Sequence, residues 1–373
     1  MDPGRARSAA VKVCPARLRE QHFIVGGSTT ETNQQSPPGR TETSMNFHFA
    51  GTARHFSRGF TAALLLGLAS LAAHAQFPNK PVRLVVPFGP GSATDTFLRI
   101  VAEPLGTALG QSVVIDNKPG AMSVLAVEHV AKSPPDGYTV VAATNSIVAN
   151  PAGILRSVNY DPFRDFTPIT RLAGTSYVLV VAADQPWRTL DELVAHARAN
   201  PGKLNYASGN LGGVLYGGML QKSIGVNMVH VPFKSTPPAL LELLAGRVHI
   251  MFTDLATASG QVKAGKVRPL LATATQRTAL FPDVPTIAET GIRGFADMPA
   301  WWALYGPAGM PNDAVERLNR EVTTILQRPD IRSRLLAMGI DAVPSSPQVL
   351  ADFTREQSQN YVRLIKEFNI QPE

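Results

Sequence analysis

Cysteine is all but missing from these 373 residues, and the single one, Cys14, lies far ahead of the first strand-like segment. From Gln76 onward the chain has no disulfide, no thiolate nucleophile and no Cys-ligated metal. The common catalytic signatures are missing too: there is no G-x-S-x-G, no H-E-x-x-H, no Walker lysine and no G-x-G-x-x-G. Four histidines follow Gln76 (His129, His196, His230 and His249), and none is spaced as a metal pair. With few aromatics beside basic residues and no long basic run, nucleic-acid binding has little support. No apolar stretch reaches the ~20 residues that a membrane-spanning helix needs. Neither a metal nor a cofactor is expected.

The first 75 residues read as a leader rather than as part of the fold. Met1 to Ser44 is polar and shows no apolar period. From Met45, "MNFHFAGTARHFSRGF" supplies a basic region with Arg54 and Arg58, "TAALLLGLASLAA" a short apolar one, and Ala73 and Ala75 the small residues of a cleavage site. That order predicts a secretory signal peptide over 45–75, translation starting at Met45, and cleavage after Ala75. The leader holds eight Lys/Arg and four Asp/Glu. Of the 35 basic and 28 acidic residues, 27 and 24 remain after it, a net charge of +3. Such a surface suits anionic small molecules only mildly.

From Pro81 to Ala272 short apolar runs alternate with helical stretches, the pattern of an α/β protein with largely parallel sheets. Strands are expected at Val82–Val86, Ser112–Ile115, Thr139–Ala142, Tyr177–Ala182, Leu204–Ala207, Met228–Val231, His249–Phe252 and Val267–Ala272. Helices are expected at Ala93–Leu109, Thr189–Ala199, Pro238–Ala245, Ala314–Gln327, Asp330–Met338 and Pro347–Phe368. The stretch "AWWALYGPAG" reads as the chain returning to its first half. The pattern permits one lobe from 76–176 plus 300–373, a second from 177–299, and a hinge with a cleft between them.

Four strand-to-helix corners carry short polar residues. In "VVPFGPGSATD", Gly89 and Gly91 let the backbone turn sharply, Ser92 can cap the helix, and Ser92 to Asp95 matches the S-x-x-[DE] capping box. Asp95 then has two readings, a cap at its own helix N-terminus or a ligand contact. Amides around Gly91 to Ala93 can receive an anion, and with no lysine following, a small carboxylate fits better than a nucleotide. The other corners hold Asn145 and Ser146, then Ser208, Gly209 and Asn210, and finally Lys234 and Ser235. Four such corners without a catalytic set point to a binding cleft.

The stretches "PVRLVVPFGPGSATDTFLR", "VVIDNKPGAMSVLAVEHVAKSPPDGYTVV", "YDPFRDFTPIT", "HVPFKSTPPALLELLAGRVHIMF", "KAGKVRPLLATATQRTALFPDVPTIAETGI" and "PAGMPNDAVERLN" resemble the Bug-type substrate-binding receptors of tripartite tricarboxylate transporters. The resemblance implies a two-lobed periplasmic-binding-protein-like fold whose hinge closes over a small organic anion, often a carboxylate. It implies delivery of that anion to integral membrane permease subunits from the periplasm, by a non-enzymatic receptor expected to be monomeric. The first-loop motif falls on Pro87, Phe88, Gly91 and Asp95, and the second-lobe motif on Ser208, Gly209 and Asn210. With the neighbouring Pro90, Ser92, Asn145, Ser146 and Asp254, these form the candidate ligand set.

Departures from the family pattern bear on the ligand. Met122 and Ser123 stand where paired glycines are common, and Thr253 where Asp is common. Leu211 to Leu215 replaces hydroxyl residues and His. An apolar wall of Leu211 and Leu215, at i,i+4 spacing, predicts a monocarboxylate or aromatic carboxylate over a tricarboxylate. Two other functions remain open from sequence: a secreted α/β hydrolase acting through Asp95 or Asp254, and a periplasmic sensor that binds a membrane signalling protein.

Overall fold

Short runs of β-branched residues bounded by turns build two separate sheets. The structure is a computed structural model describing residues 77–296, 298–367 and 370. The expected leader lies outside the described residues. In the first half come β1 (Val82–Val86), α1 (Ala93–Leu109), β2 (Val113–Asn117), α2 (Val124–Ala131), β3 (Thr139–Thr144), α3 (Ser146–Ala149) and β4 (Phe166–Thr175). After Ser176 follow β5 (Tyr177–Ala182), α4 (Leu190–Ala199), β6 (Asn205–Ser208), α5 (Leu211–Ile224) and β7 (Val229–Pro232). Next are α6 (Thr236–Leu244), β8 (Ile250–Asp254), α7 (Leu255–Lys263) and β9 (Val267–Ala272). The chain ends with β10 (Ala300–Pro307), α8 (Asn312–Gln327), α9 (Pro329–Leu336), β11 (Asp341–Ala342) and α10 (Pro347–Glu367).

The first sheet has the order β11-β4-β10-β3-β1-β2 and the second β7-β6-β8-β5-β9. Both are mixed, which corrects the expectation of largely parallel sheets. β1 pairs in parallel with β2 and β3, and β6 with β7 and β8, while β4, β5 and β10 make antiparallel pairs. The reason is connectivity. β1, β2, β6 and β7 are each followed by a helix and a parallel strand, whereas β4 runs into β5 across one residue and β10 arrives by a long irregular segment. Neither β4 nor β10 stands out as an isolated apolar run, because β4 carries Thr167, Pro168 and Thr170 and β10 has no adjoining turn signal before it. β10 is nonetheless buried along its whole length between β3 and β4. Among the described residues no helix is long and apolar enough to cross a membrane.

Glycines in α5 set how closely this helix sits on the second sheet. A Cβ added at Gly217 would lie 2.2 Å from the Tyr206 ring, and one at Gly212 would lie 2.1 Å from the Tyr177 ring. Tyr206 is 4% exposed and stacked on His230, so it has little room to yield. At the adjacent Gly218 an added Cβ meets nothing within 4 Å. Alanine is the better helix former by ~1 kcal/mol, while overpacking a core costs ~1–3 kcal/mol. Gly218→Ala should therefore raise stability by up to ~1 kcal/mol, and Gly217→Ala should lower it despite the same propensity gain. Chemical denaturation of the two variants checks this, and equal shifts would contradict the packing account.

Candidate functional site

The parallel strands β1, β3, β6, β7 and β8 each feed a helix, and their carboxyl ends carry the candidate site. Ligands in open α/β sheets bind at such ends. Here loops of the first sheet contribute Phe88, Ser92, Ala93, Thr94, Thr144 and Asn145, and loops of the second contribute Asn210, Leu211, Thr236 and Asp254, to one space of about 360 Å³ that is partly open to solvent. A second space, about 380 Å³, shares Phe88, Asn210 and Leu211 and extends to Ser146, Ser208, Gly209, Val214 and Lys234. The loops touch directly, since the Gly89 N–H donates to Ser235 Oγ at 3.1 Å. On the second sheet's side, Gly209 is required by close approach: an added Cβ would lie 2.5 Å from the backbone of Ser235 and Thr236.

Asp95 shapes the first corner from beneath. Ser92 Oγ accepts from the Asp95 N–H at 3.2 Å, which is the expected cap. The carboxylate reaches back one residue further than in a capping box, accepting from the Gly91 N–H at 3.0 Å. Asn117 Nδ2 donates to it at 3.0 Å, and Arg99 Nε at 3.0 and 3.1 Å. Burial raises the Asp95 pKa, but the bonds from Arg99, Gly91 and Asn117 outweigh it and hold the carboxyl below its usual range. Asp95, Pro90 and Gly91 line neither space. Gly91 is needed for its left-handed φ of +79°, and an added Cβ there meets no protein atom. The Gly91 amide is occupied by Asp95, so the free donors of this corner are the N–H groups of Ala93 and Thr94. These lie in the first turn of α1, where helix geometry supplies no partner. The dipole of a 17-residue helix favours an anion there by ~0.3–1 kcal/mol.

The opposite wall is polar at its base and apolar beside it. Asn210 caps α5, its Oδ1 accepting from the Gly213 N–H at 2.9 Å, which leaves the Nδ2 donors to the cleft. Ser208 Oγ lies 2.6 Å from His230 Nε2. Asp254 caps α7, with Oδ1 accepting from the Thr257 N–H at 2.8 Å, and burial pushes its carboxyl up. Asn145 donates to the Tyr361 hydroxyl at 2.8 Å, and Ser146 Oγ lies 2.9 Å from Thr144 Oγ1. The apolar wall differs from the expected one. Leu211 and Val214 line the space, at i,i+3, whereas Leu215 is turned into the core.

Sequence reasoning missed several residues that line the two spaces, including Thr94, Thr144, Tyr177, Thr236, Met122 and Trp302. Trp302 Nε1 donates to Thr94 Oγ1 at 2.7 Å and so braces the first turn of α1. The only sequence signal for it was the Trp-Trp pair in the returning segment. Ala121, Met122 and Ser123 all have positive φ (45°, 48° and 79°), although none is glycine. Each left-handed non-glycine residue costs ~1–2 kcal/mol. Asn150 Nδ2 donates to the Met122 carbonyl at 2.9 Å and helps to hold that turn. Among the described residues, no three His, Cys, Asp or Glu side chains gather as a metal site.

A family model described as the tripartite tricarboxylate transporter family receptor matches residues 97–370. A UPF0065 protein encoded in the tcbD–tcbE intergenic region of a Pseudomonas species is 35% identical over 320 residues, covering 84% of this chain and 95% of the relative. Among solved structures, a Rhodopseudomonas palustris protein with adipate matches with a TM-score of 0.76 at 33% identity, covering 80% of this chain and all of that one. MatC from the same species, with bound malate, matches with a TM-score of 0.72 at 33% identity, covering 78% of this chain and 100% of that one. The α/β architecture with two sheets is that of periplasmic binding proteins.

The bonding of Asp95 makes a stability prediction. Its folded pKa is lowered, so its contribution is present above the unfolded carboxyl pKa and is lost as pH falls through the folded one. Asp95→Asn should destabilise the protein by ~1–3 kcal/mol near neutral pH, with the difference shrinking in acid, and any loss of ligand affinity should accompany that loss of stability. Denaturation at neutral and acidic pH, with calorimetry, tests this. A large affinity loss at unchanged stability would instead assign Asp95 to the ligand.

Proposed function

The chain belongs to the tripartite tricarboxylate transporter receptor family, and on that premise we propose that it captures a small aliphatic dicarboxylate between its two sheets and delivers it to the permease subunits of such a transporter. The observation that carries the ligand class is the placement of charge and apolar surface around the cleft. The Ala93 and Thr94 amides and the Asn210 amide offer donors for one carboxylate. Phe88, Leu211 and Val214 offer an apolar wall, and Lys234, which makes no ion pair among the described residues, lines the adjoining space. A second carboxylate meets Lys234. A third, as in a tricarboxylate, would face the apolar wall unpaired at ~1–3 kcal/mol. Lys234 is what turns the monocarboxylate expected from the apolar stretch into a dicarboxylate. Relatives solved with adipate and with malate support the class.

In this reading, residues 76–176 with 300–373 form one lobe and 177–299 the other. The chain crosses between sheets at Ser176 and again before Ala300. Closure brings Gly89 against Ser235. The protein works as a periplasmic monomer released by cleavage after Ala75, and mass spectrometry of the exported chain should find Gln76 at its N-terminus. A soluble chain retaining 45–75 would contradict that. It returns its ligand chemically unchanged. The hydrolase reading would have to act through Asp95 or Asp254, of which only Asp254 lines the cleft, and the sensor reading would need a signalling partner in place of the permease.

Two binding experiments test the site. Lys234→Met should weaken adipate by about 10–100-fold, since a charge-assisted bond contributes ~1.5–3 kcal/mol and ~1.4 kcal/mol is tenfold, while hexanoate is little changed. Equal losses for both acids, or none, would remove Lys234 from the site. Asp254 sets a pH dependence. A bound anion raises its already raised pKa further, so the complex takes up a proton and affinity rises as pH falls through the Asp254 titration. Asp254→Asn should flatten that dependence in calorimetric titrations across pH, and an unchanged slope would separate Asp254 from the ligand.

A further inference from the structure

Trp301 and Trp302 are neighbours on β10, and successive strand residues leave opposite faces of a sheet. Trp302 lines the cleft with its indole N–H bonded to Thr94. Trp301 lines a different groove, about 1060 Å³ and partly open to solvent, bounded by α10, Phe295, Ala296 and residues 298–300. Trp301 is 4% exposed, and its indole N–H has no acceptor among the described residues. Leaving a buried donor unpaired is costly, so such a group calls for a partner.

A second unpartnered group lines the same groove. The half-buried Arg171 guanidinium lies over the Phe353 ring, 4.0 Å from its centroid, and makes no ion pair among the described residues. Burial lowers its pKa, which the charges of Tyr305 and Glu356 only partly offset. Arg363 adds another cation to the lining, and Glu367, on the exposed end of α10, is the one acid among the lining residues described. Phe295, Trp301 and Phe353 supply aromatic walls. Among the described residues the groove thus joins a buried neutral donor and a guanidinium with no ion-pair partner to flat apolar surface. A guanidinium binds carboxylates through paired parallel donors.

We propose that this groove is a second ligand site, on the face of the first sheet away from the cleft, and that it takes an aromatic carboxylate. The carboxylate meets Arg171, and the ring lies along Phe295 and Phe353 beside the Trp301 indole. The site is independent of which dicarboxylate the cleft binds.

The chain has three tryptophans, Trp187, Trp301 and Trp302, so its indole N–H signals report both sites separately. In ¹⁵N-labelled protein, with signals assigned from Trp301→Phe and Trp302→Phe, sodium benzoate is titrated against matched sodium chloride, with saturating adipate present. The Trp301 signal should move saturably with benzoate and not with chloride, and the Trp302 signal should stay in place. Arg171→Met keeps a stem to pack on Phe353 and should weaken the response about tenfold or more. If that variant does not fold, Arg363→Gln on the outer helix should weaken it several-fold. A Trp301 signal that stays still or follows chloride equally would overturn the site. So would a Trp302 signal that titrates with the same midpoint, or an affinity unchanged in the arginine variant.

Discussion

One buried carboxylate fixes the corner on which the cleft is built. Asp95 draws together the Gly91 amide, the Arg99 side chain one turn along α1, and Asn117 at the end of β2. Asn117 also donates to the Phe88 carbonyl at 2.9 Å, so the same amide pins the loop from both ends. The β1–α1 turn consequently has one shape before any ligand arrives. That shape directs the uncommitted amides of Ala93 and Thr94 into the cleft. Preorganised donors do not have to be ordered at the moment of binding, which is why a handful of backbone N–H groups can hold an anion well. In the proposed site, Asp95 is the frame of the ligand contact.

The facing wall is held by packing rather than by charge. Gly209, Gly212 and Gly217 let α5 and its preceding turn approach Ser235, Tyr177 and Tyr206 more closely than any side chain would permit. Tyr177 and Tyr216 stack with Phe252 and Phe295 into an aromatic floor, and the Tyr216 hydroxyl accepts from the Met298 N–H at 3.0 Å. On this floor the caps Asn210 and Asp254 each spend one oxygen on a helix amide. The same two residues line the candidate cleft.

Much of this was legible in the chain itself, for identifiable reasons. α1 begins at Ala93 and ends at Leu109 as expected, because Ser92 caps it and Gly110 closes it in the left-handed conformation. β5 and β9 fall on their expected residues because their apolar runs are uninterrupted. β4 and β10 were hidden by Pro168 and by the absence of a turn before Ala300, and with them went the antiparallel half of the first sheet. At the site, short polar residues after strands pointed to Ser92, Asn145 and Asn210, and the resemblance added Asp254; all four line the same space. Leu215 was misplaced because helical spacing offers both i+3 and i+4, and only packing against the core chooses between them. Thr94 and Trp302 could not be paired from sequence, since 208 residues separate them and neither belongs to a motif.

The central claim is that the first turn of α1 and the Lys234 corner hold the two ends of one dicarboxylate. A crystal structure of the mature chain grown with adipate tests it most directly. The account predicts one carboxylate within ~2.7–3.2 Å of the Ala93 or Thr94 nitrogen, the other beside Lys234 Nζ, and the methylene chain along Leu211 and Val214. Adipate lying elsewhere, or both carboxylates held by groups other than these, would contradict it.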